Sequence, residues 1–122
     1  MFYYHLDICR INVKLHLFTK EQGGRENGID DGYRPDHSLS SDDKILTMGP
    51  VYFLDKTKTS MNTGEVAEMQ VMFLVSPKNK SKLLALKQGD KWGIFEGSRC
   101  VGECEMVERI TTEEELENIV TE

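Results

Sequence analysis

The run Ile11-Asn12-Val13-Lys14-Leu15-His16-Leu17 alternates apolar and polar side chains without a break. A period of two puts Ile11, Val13, Leu15 and Leu17 on one face of an extended chain and Asn12, Lys14 and His16 on the other. That pattern is a strand with one wet face and one face in a core. Leu6 and Ile8 fall on the opposite parity, which predicts a bulge or a change of strand near Cys9–Arg10.

Strand patterns recur along the chain. Val66–Ser76 places Met69, Val71, Phe73 and Val75 on one face, and Met72 and Leu74 make its far end apolar on both faces. Lys91–Glu96 sets Trp92 and Ile94 on one side. A tight hairpin at Gly97–Arg99 leads into Cys100–Ile110, read with Cys100, Gly102, Cys104, Met106 and Ile110 inward. Ile45–Asp55 is a strand region broken by Gly49-Pro50. Pro35 holds Arg34 extended and cannot donate to a ladder, so a short strand over Arg34–Leu39 belongs at an edge or a bulge.

Leu39–Lys44 and Lys56–Glu65 read as polar turns. Pro77–Asp90 reads as a connection, with Leu83, Leu84 and Leu86 in a short turn or strand. In the tail, Thr111 or Thr112 can cap a helix, with Glu114 or Glu115 completing a capping box. The tail is either a short C-terminal helix or an acidic extension. The total is roughly six short strands and no long amphipathic helix, which closes most naturally as an antiparallel β-barrel.

The 122 residues fit one domain, with the barrel over about 7–110 and the tail over 111–122. No apolar run approaches a membrane span of about 18 residues. The start MFYYHLDICRINVK lacks the basic and apolar regions of a secretory signal, and we expect a cytoplasmic protein. The net charge of −6 argues against a dedicated nucleic-acid binder. The three cysteines, without a C-x-x-C pair, are expected to be buried reduced thiols.

Catalytic signatures are missing from the sequence. Gly23 and Gly28 have the spacing that opens a P-loop, but Ile29-Asp30 stands where Lys and Ser/Thr are required, so no GTP binding is expected. His5, His16 and His37 have no metal-ligand spacing. No serine occupies a nucleophile elbow, and Cys100 and Cys104 lack an adjacent activating base in the sequence. We expect no enzymatic activity, no metal and no cofactor.

One stretch is unusually rich. Lys20–Asp36, KEQGGRENGIDDGYRPD, concentrates four glycines and two arginines before a Tyr-Arg-Pro exit. Together with VKLHLFTKEQGGR (Val13–Arg25) and EGSRCVGECEMV (Glu96–Val107), this stretch resembles the C-terminal β-barrel of translational GTPases of the elongation factor Tu type. That family's pattern is a hydrophobic strand, a Glu-Gly-Gly-Arg loop, Gly-Tyr-Arg-Pro, and a late Arg-Glu-Gly-Gly-Arg-Thr-Val-Gly. Thr63–Pro77 also looks like the family's Pro-Gly-Asp turn and central strand. The likeness spans about Asp7–Ile110.

The resemblance implies a six-stranded antiparallel closed barrel, the third domain of such factors, here freestanding. In the family this barrel packs on the GTPase domain, contacts the T stem of aminoacyl-tRNA and helps dock the nucleotide exchange factor. Gly23, Gly24 and Arg25 match its Gly-Gly-Arg loop, and Tyr33, Arg34 and Pro35 match Tyr-Arg-Pro. Glu96, Gly97 and Arg99 match the late motif. Asp36 replaces a Gln, Phe95 an Arg and Ser98 a Gly. The resulting expectation is a non-enzymatic binding module for a protein partner of the translation machinery. Its candidate surface is Gly23, Gly24, Arg25, Tyr33, Arg34, Glu96, Gly97 and Arg99. The alternative is tRNA or other RNA binding through Arg25, Arg34, Arg99 and the lysines of Lys78–Lys91. The same glycines and arginines also admit a purely structural role, with Arg25 and Arg34 paired to acids such as Glu26 or Asp36.

Overall fold

The computed structural model describes residues 7–39 and 46–120. Most of the regular structure is antiparallel strand: β1 (Ile8–Leu17), β2 (Ile29–Asp30), β3 (Asp36–His37), β4 (Thr47–Met48), β5 (Val51–Phe53), β6 (Ser60–Met61), β7 (Val66–Leu74), β8 (Lys91–Glu96) and β9 (Arg99–Arg109). Two short α-helices, α1 (Lys80–Ala85) and α2 (Glu113–Glu117), and a 3-10 turn at Lys20–Gln22 complete it among the described residues. The protein is all-β in class. Seven strands form one curled sheet in the order β4-β3-β8-β9-β1-β7-β5, while β2 and β6 pair separately.

The long strands follow the alternation in the sequence. Cys9, Ile11, Val13, Leu15 and Leu17 of β1 are buried, as are Met69, Val71 and Phe73 of β7 and Trp92 and Ile94 of β8. Contrary to the expected bulge at Cys9–Arg10, β1 stays in unbroken register with β7 from Ile8 to His16. Cys9 simply continues the inward parity. Leu6, His5, residues 40–44 of the expected turn and Ile45 lie outside the described residues.

The irregularities sit on β9 instead. Ile94 pairs with Gly102 but Phe95 with Cys100, so Val101 is an extra residue. Asn12 pairs with Glu108 but Val13 with Met106, so Val107 is another. Each bulge switches the side-chain parity of the strand from one side of the extra residue to the other. The inward readings of Cys100 and Ile110 are therefore corrected. Cys100 is half-buried on the outer side, and Ile110 is exposed, while Val101 takes the buried place. The second bulge also turns Arg109 toward α1, where Nη1 donates to the carbonyls of Leu83 and Leu84 at 2.9 and 3.2 Å.

Several short elements differ from the sequence reading. The Arg34–Leu39 strand shrinks to Asp36–His37, with Tyr33 forming a single bridge to Val51. The polar turn at Lys56–Glu65 contains β6, whose Met61 is buried. The leucines of Pro77–Asp90 lie on or beside α1, with Leu83 buried. At the tail the helix forms: Thr112 caps α2 and Glu115 closes the capping box. Lys80 Nζ donates to the carbonyls of Glu117 and Ile119 around its C-terminal end, at 2.9 and 2.6 Å.

The end strands of the large sheet, β4 and β5, are separated in the chain only by Gly49 and Pro50. This run bonds to both sides. Gly49 N donates to Pro35 O at 3.2 Å and Val51 N to Tyr33 O at 2.8 Å, while Met72 N on β7 donates to Pro50 O at 3.1 Å. The outer amide of Phe53 is taken by the Asp31 carboxylate at 2.8 Å.

Inside this seam lies His37, fully buried. Trp92 Nε1 donates to its Nδ1 at 2.9 Å, and its Nε2 sits 2.9 Å from Gly49 O. Indole N–H is only a donor, so Nδ1 must accept and Nε2 must carry the proton. The ring also meets Phe73 edge-on, with centroids 4.8 Å apart. Burial lowers the imidazole pKa from 6.5 to about 4, against a smaller opposing effect of the Gly49 bond.

The unfolded chain thus takes up a proton near pH 6.5 that the folded protein refuses until about pH 4. Stability from this group is complete above the upper value and falls as pH drops through the window. The expected loss is about 3 kcal/mol. Urea unfolding at the two ends of that window should show a larger acid-induced drop in wild type than in His37→Gln. Equal drops in the two proteins would remove His37 from the acid response.

Candidate functional site

The glycine-rich segment begins as a compact local structure. Thr19 caps a 3-10 turn at Lys20–Gln22, with its hydroxyl accepting from Gln22 N and the Gln22 side chain accepting from Thr19 N. Gly23 ends the turn at φ 94°, a left-handed conformation that disfavours any residue with a Cβ. Gly24 is buried, and a Cβ there would lie 2.4 Å from Phe18 O. Phe18 N in turn donates to Val101 O at 2.9 Å, which fastens the start of the loop to β9.

Arg25 then reaches across the molecule. Its Nη1 forms an ion pair and hydrogen bond with Glu96 Oε2, and its Nε donates to Asn27 O at 3.2 Å. Tyr33 OH donates to the same Glu96 oxygen at 2.5 Å. The guanidinium carbon stands 5.1 Å from the Tyr33 ring centre. Burial raises the Tyr33 pKa, and the nearby Arg25 charge acts in the opposite direction. A neutral Tyr33 is therefore held as a donor.

Three of the eight sequence-selected residues thus meet at one corner, Arg25, Tyr33 and Glu96, while Gly23 and Gly24 shape the turn that leads into Arg25. Gly97 makes the β8–β9 turn at φ 58°. Arg34 and Arg99 lie beside the corner by chain position, both exposed, and neither makes an ion pair or side-chain hydrogen bond with a described residue. The expected pairing of Arg25 with Glu26 or Asp36 is corrected: Glu26 goes to Lys20 at 3.3 Å, and Arg25 goes to Glu96. Glu96 is 71 positions away from Arg25. Nothing in local spacing signals that partner.

The lysines of Lys78–Lys91 are not one patch of free charge, since Lys80 is engaged at the end of α2. Cys9 and Cys104 are buried with pKa values raised mainly by burial, Cys9 to about 11. That raises the cost of forming a thiolate at either residue. Among the described residues no group of three His, Cys, Asp or Glu is placed to hold a metal, and no helix is long and apolar enough to cross a membrane. No known protein-family model matches the chain.

Both features of the corner are testable by stability. The pair is partly solvent-screened, with side-chain exposures of 27% and 37% for Arg25 and Glu96. A double-mutant cycle of Arg25→Met and Glu96→Gln should give a coupling of about 1 kcal/mol that shrinks with added salt. Gly24→Val forces a Cβ against the Phe18 backbone and should cost about 2 kcal/mol or more in urea melts.

Proposed function

We propose that this chain is a non-enzymatic binding module that engages a protein partner of the cytoplasmic translation machinery. Its architecture is proposed to be a closed six-stranded antiparallel barrel like the third domain of elongation factor Tu-type GTPases. Support for closure comes from the Thr47–Phe53 run, which hydrogen-bonds toward Tyr33 and Pro35 on one side and toward β7 on the other. Counted this way, β4 and β5 are one strand of the barrel.

The observation that carries the binding role is the Arg25–Tyr33–Glu96 cluster. It ties the glycine-rich loop to the β8–β9 hairpin, two segments far apart in sequence. A preorganised surface loses less entropy on association. Arg34 and Arg99 flank it with exposed guanidinium groups that have no ion-pair partner among the described residues. Exposed arginines on a rigid frame suit carboxylates of a partner. RNA is the weaker reading. Arg25 and Lys80 are already engaged, and Asp30, Asp31 and Asp36 stand in the same segment as the loop arginines.

The test begins with affinity capture, then titrates each purified candidate against wild type and an Arg34→Ala/Arg99→Ala variant. A specific partner should lose roughly tenfold or more in affinity with the variant. Equal affinity for both proteins would reject this surface. Titration with tRNA at low salt should give no saturable binding. A tight complex whose affinity falls steeply with salt would favour RNA instead.

A further inference from the structure

The outer face of β5, β7 and β1 carries a surface that, apart from Arg34, the loop-and-hairpin corner does not use. Register places Tyr52, Gln70 and Asn12 in one outward row. Gln70 Nε2 donates to Asn12 Oδ1 at 3.0 Å, which links the two side chains by one hydrogen bond. The next row is different. Met72 N bonds to Pro50 O and Met72 pairs with Arg10, while the Tyr33–Val51 bridge sets Arg34 beside Pro50. Pro50 and Met72 are half-buried between two exposed arginines, neither ion-paired to a described residue.

Apolar surface continues outward from this row, with Leu74 63% and Met48 52% exposed. Tyr52, Leu54 and Met72 line an open cleft of about 330 Å³, with Lys56 and Gln70 at its margin. Its apolar lining and modest size suit one or two side chains rather than a flat contact. Lys56 lines the cleft, and Arg10 and Arg34 lie on the adjoining Met72–Pro50 row by register, local positive charge on a chain whose net charge is −6. Glu68 and Glu108 occupy the flanking positions of the same face, and Glu115 of α2 interacts electrostatically with Arg10. They would repel a continuous array of phosphates, as in RNA or an anionic bilayer, but leave room for a few spaced carboxylates.

We propose that this face is a docking surface for an acidic peptide segment carrying an apolar side chain. The apolar side chain seats between Tyr52 and Met72, whose thioether adapts to varied shapes. Flanking carboxylates meet Arg10, Arg34 and Lys56. In an extended segment, residues two apart face the same way at about 7 Å spacing, so one acid on each side of the anchor reaches the rim. This proposal goes beyond the loop-and-hairpin reading and shares only Arg34 with it.

The probe is a short labelled peptide of Glu and Gly with one central Phe, read by fluorescence anisotropy and by amide chemical-shift mapping on the full chain. Wild type should bind saturably, with shifts centred on Tyr52, Met72 and Arg10. Met72→Asp and Arg10→Glu should each weaken binding by roughly tenfold while keeping the thermal melt of the fold. Arg99→Ala should bind as wild type does, which separates this face from the corner. Replacement of the Phe by Gly in the peptide should abolish binding. No saturable binding, equal binding of the Gly peptide, shifts that map elsewhere, or binding that survives both substitutions would each overturn the proposal. Preference for a single-stranded RNA or for phosphatidylserine vesicles over the peptide would overturn it as well.

Discussion

One neutral imidazole sits at the centre of the seam that the backbone bonds of the Gly49–Val51 run close. His37 lies on β3, accepts from Trp92 on β8 and reaches the carbonyl of Gly49 in the bend that joins β4 to β5. These are the segments where the curled sheet returns toward its own other end. The bond pattern works for only one tautomer, so the ring discriminates among arrangements that a purely apolar contact would tolerate. A buried polar group left without partners costs more than a satisfied one contributes. The two hydrogen bonds therefore set the position of β3 against β8 and the bend more sharply than Phe73 packing alone could.

Whatever repeats with period two is legible in the sequence. β1, β7 and β8 follow their alternation because each buries every second residue against one core. β9 is legible in extent but not in face. Val101 and Val107 are ordinary strand residues, and nothing in their chemistry marks them as extra; the bulges exist because β9 must pair with β8 and β1 at once. β6 is hidden because two residues cannot show a period, and its partner β2 lies in the glycine-rich segment. The capping box of α2 is legible because it is local chemistry, a hydroxyl and a carboxylate three residues apart.

The candidate corner divides the same way. Glycine at positions 23 and 24 is explained by geometry that the chain requires there, one by a left-handed turn and one by contact with a backbone carbonyl. Motif glycines of this kind hold a shape whether or not the shape is used for binding. The ion pair that makes the corner a unit is not legible, because it joins two segments through tertiary structure. Sequence neighbours of Arg25 offer nearer carboxylates, and one of them, Glu26, serves Lys20 instead.

The Asp31 carboxylate on the amide of Phe53 has a consequence beyond local satisfaction. An unpaired strand amide is an invitation for a foreign strand to add itself, and Phe53 sits where β5 is short and its neighbour pairing is sparse. A side-chain oxygen in that position accepts the bond a second molecule would otherwise supply, and brings a negative charge with it. In the folded chain the outward amide of Phe53 is thus already occupied, by a residue that also carries charge, and is closed to a foreign strand.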